Sequence, residues 1–547
     1  VPAETGAVEM IETDVLIVGG SLVGLSAATF LAWHGVPTLS VERHHGTAIH
    51  PRAGHFHLRT LEVLRSVGLE DRVKAESEKQ FDPDGGINAV ESLAGKEIAT
   101  YIANLNAGVA EISPSTRLFM TQQSLEPLIR DRAQELGAAM RYATELESFE
   151  QDKDGVAGLI RNVVTGETET VRAKYMIAAD GNRSPLREQL GIRTRGHGLL
   201  AECITIYFHA DCGAAVRGRN LGVIYVFNPQ LRGFFRLVRT GDSGFLAVMT
   251  RGDMSRPDAL NVAEGIDQDG SIAFVRSATG IPDGKVVVED IATWRAVAEV
   301  AERFSQGRVF LVGDAAHVMP PMGGFGGNTG VQDTHNLAWK LALALKGVAG
   351  RELLATYNIE RQPIGELAMQ QAYTRYVLRV VPERGKEGMQ PLVDDLSLEI
   401  GYRYRSPAII AVSDGATPLY EDPRKSKALP GTRAPHVVLQ RAGKPISTLD
   451  LFTRNFCVLA AADGGAWCDA ARAAAGDLGL ALDAYGVGRG DVSDPDRRFA
   501  DAYGLSPSGA VVVRPDGFVA WRSVDGASAS KAAMTALLSS LLCRNAA

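Results

Sequence analysis

The sequence predicts an α/β protein: a Rossmann-type dinucleotide-binding domain, an antiparallel β-sheet domain set into it, and a small αβ unit at the C-terminal end. Three observations carry this. A strand–glycine turn–helix–strand unit opens the chain, and twice more an aspartate directly follows a short buried strand, at Asp180 and Asp314. Between those aspartates lies a long run of alternating apolar segments broken by Gly and Asn-Pro turns.

At 547 residues the chain has room for two or three domains. A charged fraction of 22% and a net charge of −7 are those of an ordinary globular protein. Arginines are scattered rather than clustered, so no nucleic-acid footprint is predicted. No apolar run reaches membrane-spanning length and the first residues are acidic, so neither a spanning helix nor a signal peptide is expected. Residues 1–9 read as foreign to a native start at Met10. Cys203, Cys212, Cys457, Cys468 and Cys543 have no metal or redox spacing, which suits a reducing, cytoplasmic setting. A monomer or weak dimer without membrane or nucleic-acid partners is the expectation.

Asp14 to Val18 reads as a buried strand, and Gly19, Gly20, Ser21, Leu22, Val23 and Gly24 open a helix that stops at Gly35. Thr38 to Val41 follows as a second strand, ending at Glu42 where a ribose-binding acid belongs. The fingerprint departs from G-x-G-x-x-G only at Ser21, which narrows the pyrophosphate approach but still offers its amide. His44, His45, His50, His55 and His57 lack a carboxylate or cysteine at ligand spacing; they read as loop histidines beside the nucleotide, and no metal is expected. Arg52, on the proline-fixed turn 51–54, puts a cation near the pyrophosphate. An amphipathic helix over Arg59–Leu69 then ends at Gly68, and residues 81–117 are irregular.

Gln122 opens the next helix and offers a carboxamide to the cofactor; strands of a meander follow, and Tyr175–Ala179 ends at Asp180-Gly181. Residues 202–290 read as an antiparallel sheet. The central stretch runs from Arg308 to Lys340. A short strand delivers Asp314, two prolines follow, then a loop with Gly323, Gly324, Gly326 and Gly327, and a helix from near Asn328. An acceptor-only carboxylate calls for hydroxyls, and free amides at a helix N-terminus favour an electron-rich ring. FAD has both in that order, as its ribityl chain and its isoalloxazine. A further helix is predicted from Ile364 to about Val380, a linker over 414–433, and an αβ unit beyond Thr448. The domains expected are 1–80, 106–195 and 290–412 for FAD, 81–105 and 196–289 for the substrate sheet, and 413–547 for linker and terminal unit.

Gly19–Gly24 with Glu42, Asp180-Gly181 with Ser184 and Arg187, and Gly313-Asp314-Ala315-Ala316-His317 with Pro320-Pro321 together resemble one family: the p-hydroxybenzoate hydroxylase-like FAD monooxygenases. Gln122-x-x-Leu125-Glu126, Tyr357-x-x-Glu360-Arg361-x-Pro363, the Pro430–His436 segment and Val513–Arg522 look like its aromatic polyketide hydroxylase branch. The resemblance implies a thioredoxin-like terminal domain, structural rather than redox-active because CxxC is missing. It implies bound FAD, transient reduction by NADPH or NADH, reaction with dioxygen to a flavin hydroperoxide, and hydroxylation of a polycyclic aromatic substrate. It assigns Glu42 and Arg43 to the adenosine end, the Gly19–Gly24 amides and Arg52 to the pyrophosphate, and Asp314 to the ribityl chain. Gln122, Asp180 and Gly181 border the cofactor; Gly324, Gly326, Gly327 and Asn328 would face the reduced flavin, and the Pro321 carbonyl the peroxide proton. Phe325 stands where the family carries a polar residue, so the flavin edge is expected to meet a ring. Tyr225 and Arg379 are the candidates at the substrate's phenol oxygen, with Tyr207, Tyr225, Phe227 and Phe235 as an aromatic wall. The alternative chemistry is Baeyer–Villiger insertion or oxidative ring opening; His335 and Trp339 fit only half of its signature.

Overall fold

Val15, Leu16 and Ile17 are fully buried, and their strand, Met10–Val18, is central to the first sheet. It pairs in parallel with Thr38–Val41 on one side and Thr168–Ala178 on the other. Val309–Leu311 and Ala139–Arg141 extend the two flanks, also in parallel. Strands covered on both faces can be apolar throughout, which is why these short runs carry no alternation. Their C-terminal ends open on one edge, the place where such sheets bind ligands. The computed structural model describes residues 10–49, 54–250, 261–410, 418–490 and 492–544. Among them no helix is long and apolar enough to cross a membrane.

The second sheet runs in the order His317–Val318, Val286–Ala301, Thr194–Ala210, Ser243–Met249, Arg232–Leu237, Leu221–Phe227, Gly86–Val90, Glu97–Ile102. Alternation sorts its side chains. Ile204, Ile206, Phe208, Ile224, Phe235 and Leu246 pack outward under the helix Gln268–Thr279. Cys203, Tyr225, Phe227 and Phe234 face the nucleotide layer.

That helix was not legible in the alternating pattern; Asp267 caps its start and Gly280, in the left-handed region, closes it. The helix expected over Arg59–Leu69 is Leu58–Ser66, and a second, strongly charged helix, Glu70–Gln80, follows a turn at Gly68. Pro363 lies inside one long helix, Glu352–Arg379, instead of preceding a new one. Its missing N–H costs a single bond, and the buried anchors Glu360 and Arg361 hold the two halves in line.

The terminal unit is a thioredoxin-like four-stranded sheet, ordered Leu482–Gly486, Phe456–Ala460, Ala510–Val513, Val519–Ser523, with helices Gly465–Leu478 and Lys531–Leu541 against it. Cys457 and Cys468 are buried in it, and burial raises both thiols. Of the stretch read as a linker, 414–417 lie outside the described residues, and the remainder, 418–433, is fastened down. Arg433 forks onto Glu62 at 2.5 and 3.0 Å, and the Tyr404 amide donates to Gly431 at 2.8 Å.

Buried charges join the terminal unit to the nucleotide layer. Arg514 donates to both oxygens of Glu360, at 2.6 and 2.9 Å, and to Asp516 at 2.5 and 3.0 Å. Lys340 and Asn336, from the helix Phe325–Leu345, reach Glu360 at 2.8 and 2.7 Å. Burial alone would raise the Glu360 carboxyl, but Arg514 and Lys340 outweigh it and hold the group below the usual carboxylate range. A depressed carboxylate stabilises the fold above its unfolded pKa of about 4.3, and that contribution fades as pH falls below it. Removing one partner strands the other charge in the interior, a loss of about 3–5 kcal/mol. Arg514→Met should therefore lower the urea midpoint at neutral pH by that equivalent, with the gap to the unmodified chain narrowing below about pH 4. Equal midpoints at neutral pH would show the network to be dispensable.

Candidate active site

The first turn depends on two glycines. A Cβ at Gly19, whose φ is +112°, would strike the Ala179 carbonyl, and one at Gly24 would strike the Gly19 carbonyl. Strand ends and helix start can thus touch. Ser21 is not a flaw in this turn. Its hydroxyl and the Leu22 amide both donate to Glu126 Oε1 at 2.7 Å, Gln122 Nε2 donates at 2.6 Å, and the Ala48 amide reaches Oε2 at 2.6 Å. Glu126 is fully buried at the N-terminus of Leu22–Trp33, where the helix dipole favours an anion. The sequence reading passed it over as a site residue; its place four residues after Gln122, on the same helix face, was the available signal.

Glu42 accepts from the Gly20 amide at 2.6 Å and from the His44 amide at 2.9 Å, and His44 Nδ1 lies at 2.6 Å. A carboxylate has about four acceptor sites, so ribose hydroxyls can still be taken. Arg43 is exposed beside it, while Arg52 falls outside the described residues. Asp180 accepts from the Ser184 hydroxyl at 2.7 Å and the Leu186 amide at 3.1 Å; burial raises its carboxyl. Gly181 follows in the left-handed region, and Arg187 donates to the Ala315 carbonyl at 3.0 Å. The two aspartate motifs are therefore bonded to each other.

Asp314 sits on the turn Gly313–Ala315 after strand Val309–Leu311, exposed while Gly313, Ala315 and Ala316 are buried. The turn is held by Asp333, which accepts from the Gly313 amide at 3.1 Å, Arg361 Nε at 2.7 Å and His317 Nε2 at 2.8 Å. Burial would raise the Asp333 carboxyl, but Arg361 and His317 pull it below its ordinary range.

The helix after the glycine loop starts at Phe325, earlier than the Asn328 expected, because Gly324 in the left-handed region makes the turn. The amides of Phe325, Gly326, Gly327 and Asn328 are its first-turn donors. Asn328 itself spends its side chain on the loop. Its Oδ1 accepts from the His57 amide at 2.9 Å and Thr60 at 2.7 Å, and its Nδ2 donates to the carbonyls of His55 at 2.9 Å and Gly324 at 2.7 Å. Pro321 is exposed, and its carbonyl takes the Gly324 amide at 3.0 Å, which leaves one lone pair. Phe325 is turned inward against Ala368 and Ala372, under the Arg375 guanidinium at 5.1 Å, so its ring is a floor for the loop.

Tyr225 and Arg379 do come together, from the sheet and from the end of the helix Glu352–Arg379, with Nη1 donating to the phenol oxygen at 3.5 Å. Arg379 also lies over the ring of Tyr101, 4.7 Å away, a residue the sequence reading did not single out. The wall differs at one position. Phe235 is on the outer face, and Phe234, 6.0 Å from Tyr225, takes the inner place with Phe227 and Tyr225, while Tyr207 stands opposite Phe245 in the pairing.

An exposed carboxylate, a glycine-lined turn and a helix N-terminus on one sheet edge fit FAD. Residues 12–372 match the family described as FAD binding domain, and 427–544 match aromatic-ring hydroxylase, C-terminal. The chain is 55% identical to 4-methyl-5-nitrocatechol 5-monooxygenase of a Burkholderia species, over 98% of both chains. It is 40% identical to tetracenomycin A2 monooxygenase-dioxygenase of Streptomyces glaucescens, over 94% of this chain and 93% of that one. A solved ternary complex of aklavinone-11 hydroxylase with FAD and aklavinone matches with a TM-score of 0.90 and 36% identity, covering 98% of this chain and 99% of that one. Asp314→Ala removes an acceptor worth about 1.5–3 kcal/mol to a hydroxyl. Purified protein should then carry little FAD or bind it at least about tenfold more weakly in a fluorescence titration; unchanged affinity would remove Asp314 from the site.

Proposed function

This chain belongs to the FAD-dependent aromatic-ring hydroxylases, and from that premise we propose that it hydroxylates a phenolic ring held between the inner sheet face and the glycine loop. Bound FAD supplies hydride acceptance from NAD(P)H and activation of dioxygen. The rest falls to this chain's residues. Asp314 would hold the ribityl hydroxyls, and Glu42 with those Gly19–Gly24 amides not already given to Val41, Glu42 or Glu126 the nucleotide end. The first-turn amides at Gly326, Gly327 and Asn328, with the helix dipole behind them, favour a negatively charged ring. The second lone pair of the Pro321 carbonyl would be left to accept a proton donor at the loop.

The observation that carries the reading is the Arg379–Tyr225 pair. A ring accepts an electrophilic oxygen faster as phenolate than as phenol, so the site needs a permanent cation and a donor at the phenol oxygen. Arg379 supplies the first and Tyr225 the second. Tyr225, Phe227 and Phe234 supply an apolar surface for flat rings.

Two ring sizes are supported. The tetracenomycin and aklavinone enzymes favour a polycyclic aromatic polyketide, as expected for an antibiotic-type pathway. The 55% identical relative favours a single nitro-substituted catechol ring. The five free cysteines support a reducing, cytosolic setting, and the reading needs no partner beyond a monomer or weak dimer. Arg379→Met should slow hydroxylation about tenfold, some 1.4 kcal/mol of barrier, with FAD affinity unchanged. Raising pH toward the substrate's own phenol pKa should restore part of the rate in this variant. A flat pH profile, or a product that gains an ester oxygen and keeps its ring hydrogens, would favour Baeyer–Villiger chemistry instead.

A further inference from the structure

Arg236 is a cation the function above does not use. It lies in strand Arg232–Leu237, opposite Phe245 and two residues beyond Phe234, hence on the inner sheet face with Tyr225. It is only 3% exposed. Its guanidinium is clamped between the rings of Phe81 and Phe119, 4.1 and 4.4 Å from their centroids. No carboxylate pairs with it among the described residues, and burial without an opposing charge brings its pKa down to about 9.

Only one edge of the fork is used. Nη1 donates to the Gly54 carbonyl, whereas Nε and Nη2 have no hydrogen-bond partner among the described residues. Nε and Nη2 form the side of a guanidinium that grips two oxygens at once. Beside Gly54, His55 likewise has a sealed Nε2 without a partner among the described residues. Its ring leans on Phe119 at 5.1 Å, and its Nδ1 stands 3.4 Å from where a Cβ of Gly324 would be. An orphaned guanidinium edge and an orphaned imidazole nitrogen thus sit between the aromatic face and the flavin loop. Buried polar groups are almost always satisfied, and a buried unpaired cation is the costliest exception.

We propose that the Nε–Nη2 edge of Arg236 is a subsite for a planar two-oxygen substituent on the aromatic substrate, a nitro or carboxylate group. Such a group presents two coplanar, electron-rich oxygens on one atom, matching the bidentate edge, and the ring bearing it would lie along the Phe81–Phe119–Phe234 surface. The inference rests on the phenolic-substrate reading and deepens it: Arg379 and Tyr225 take the phenol end, Arg236 the acceptor end.

The test uses the FAD-loaded enzyme and matched probes, 4-methyl-5-nitrocatechol, 3,4-dihydroxybenzoate and unsubstituted 4-methylcatechol. The wild type should bind one or both substituted probes at least about tenfold more tightly than 4-methylcatechol, with a shift of the nitrocatechol absorption band on binding. Arg236→Met should abolish the preference and the band shift while leaving affinity for 4-methylcatechol and for FAD unchanged; Arg236→Lys should keep part of it. A wild type that shows no preference overturns the proposal, and does so even if the variants fail to fold. A variant that loses FAD affinity in step with every probe also overturns it, by assigning the edge to the cofactor. If no phenol binds or is hydroxylated by the wild type, the broader reading fails instead, a distinguishable result.

Discussion

Everything in the site hangs on one buried carboxylate. Asp333 receives the Gly313 amide, His317 and Arg361 at once, and so joins the strand end that carries Asp314 to two long helices. Placing an ion out of water is unfavourable unless donors surround it, and here three do, two of them on groups that can carry positive charge. The geometry follows from that. Once Gly313 is tied to the helix Phe325–Leu345, Asp314 can only project outward, on the same edge as the helix's free first-turn amides. Arg361 carries the tie further, to the Thr329 carbonyl at 3.1 Å and Tyr404 at 2.9 Å.

The neighbouring residue, Glu360, extends the same logic to the terminal unit through Arg514 and Asp516. This gives the thioredoxin-like unit a physical role without any redox chemistry. It closes over the outer side of the helices whose inner ends form the site, with Arg59 donating to the Asp516 carbonyl and lying over the Phe518 ring at 5.3 Å. Ion pairs here hold position more than they add net stability, since desolvation opposes the attraction.

The parts of this arrangement that were legible in sequence are those in which one local pattern suffices. The glycine turn, Glu42, Asp314 and the glycine loop each announce themselves through strand–turn–helix order, and all lie on one sheet edge. Tyr225 and Arg379, 154 positions apart, also meet. What escaped depends on partners far away in the chain. Glu126 matters because Ser21 and Ala48 reach it, and its own helix shows only that it shares a face with Gln122. Pro363 reads as a helix start until the buried anchors before it are known. Phe235 and Phe234 differ by one place, and alternation flips faces with a shift of one residue, so adjacent aromatics cannot be assigned to a face without the strand register. The charged helix Glu70–Gln80 has too thin an apolar stripe to be seen at all.

The most direct test of the account is an FAD titration of apo protein carrying Asp333→Asn, a change of shape by a single atom type that removes the charge. Followed by flavin fluorescence at neutral pH, with circular dichroism on the same samples, the variant should remain folded yet bind FAD at least about tenfold more weakly, because the Gly313–Asp314 turn is no longer pinned. Native FAD affinity in a folded variant would contradict the claim that this carboxylate organises the site.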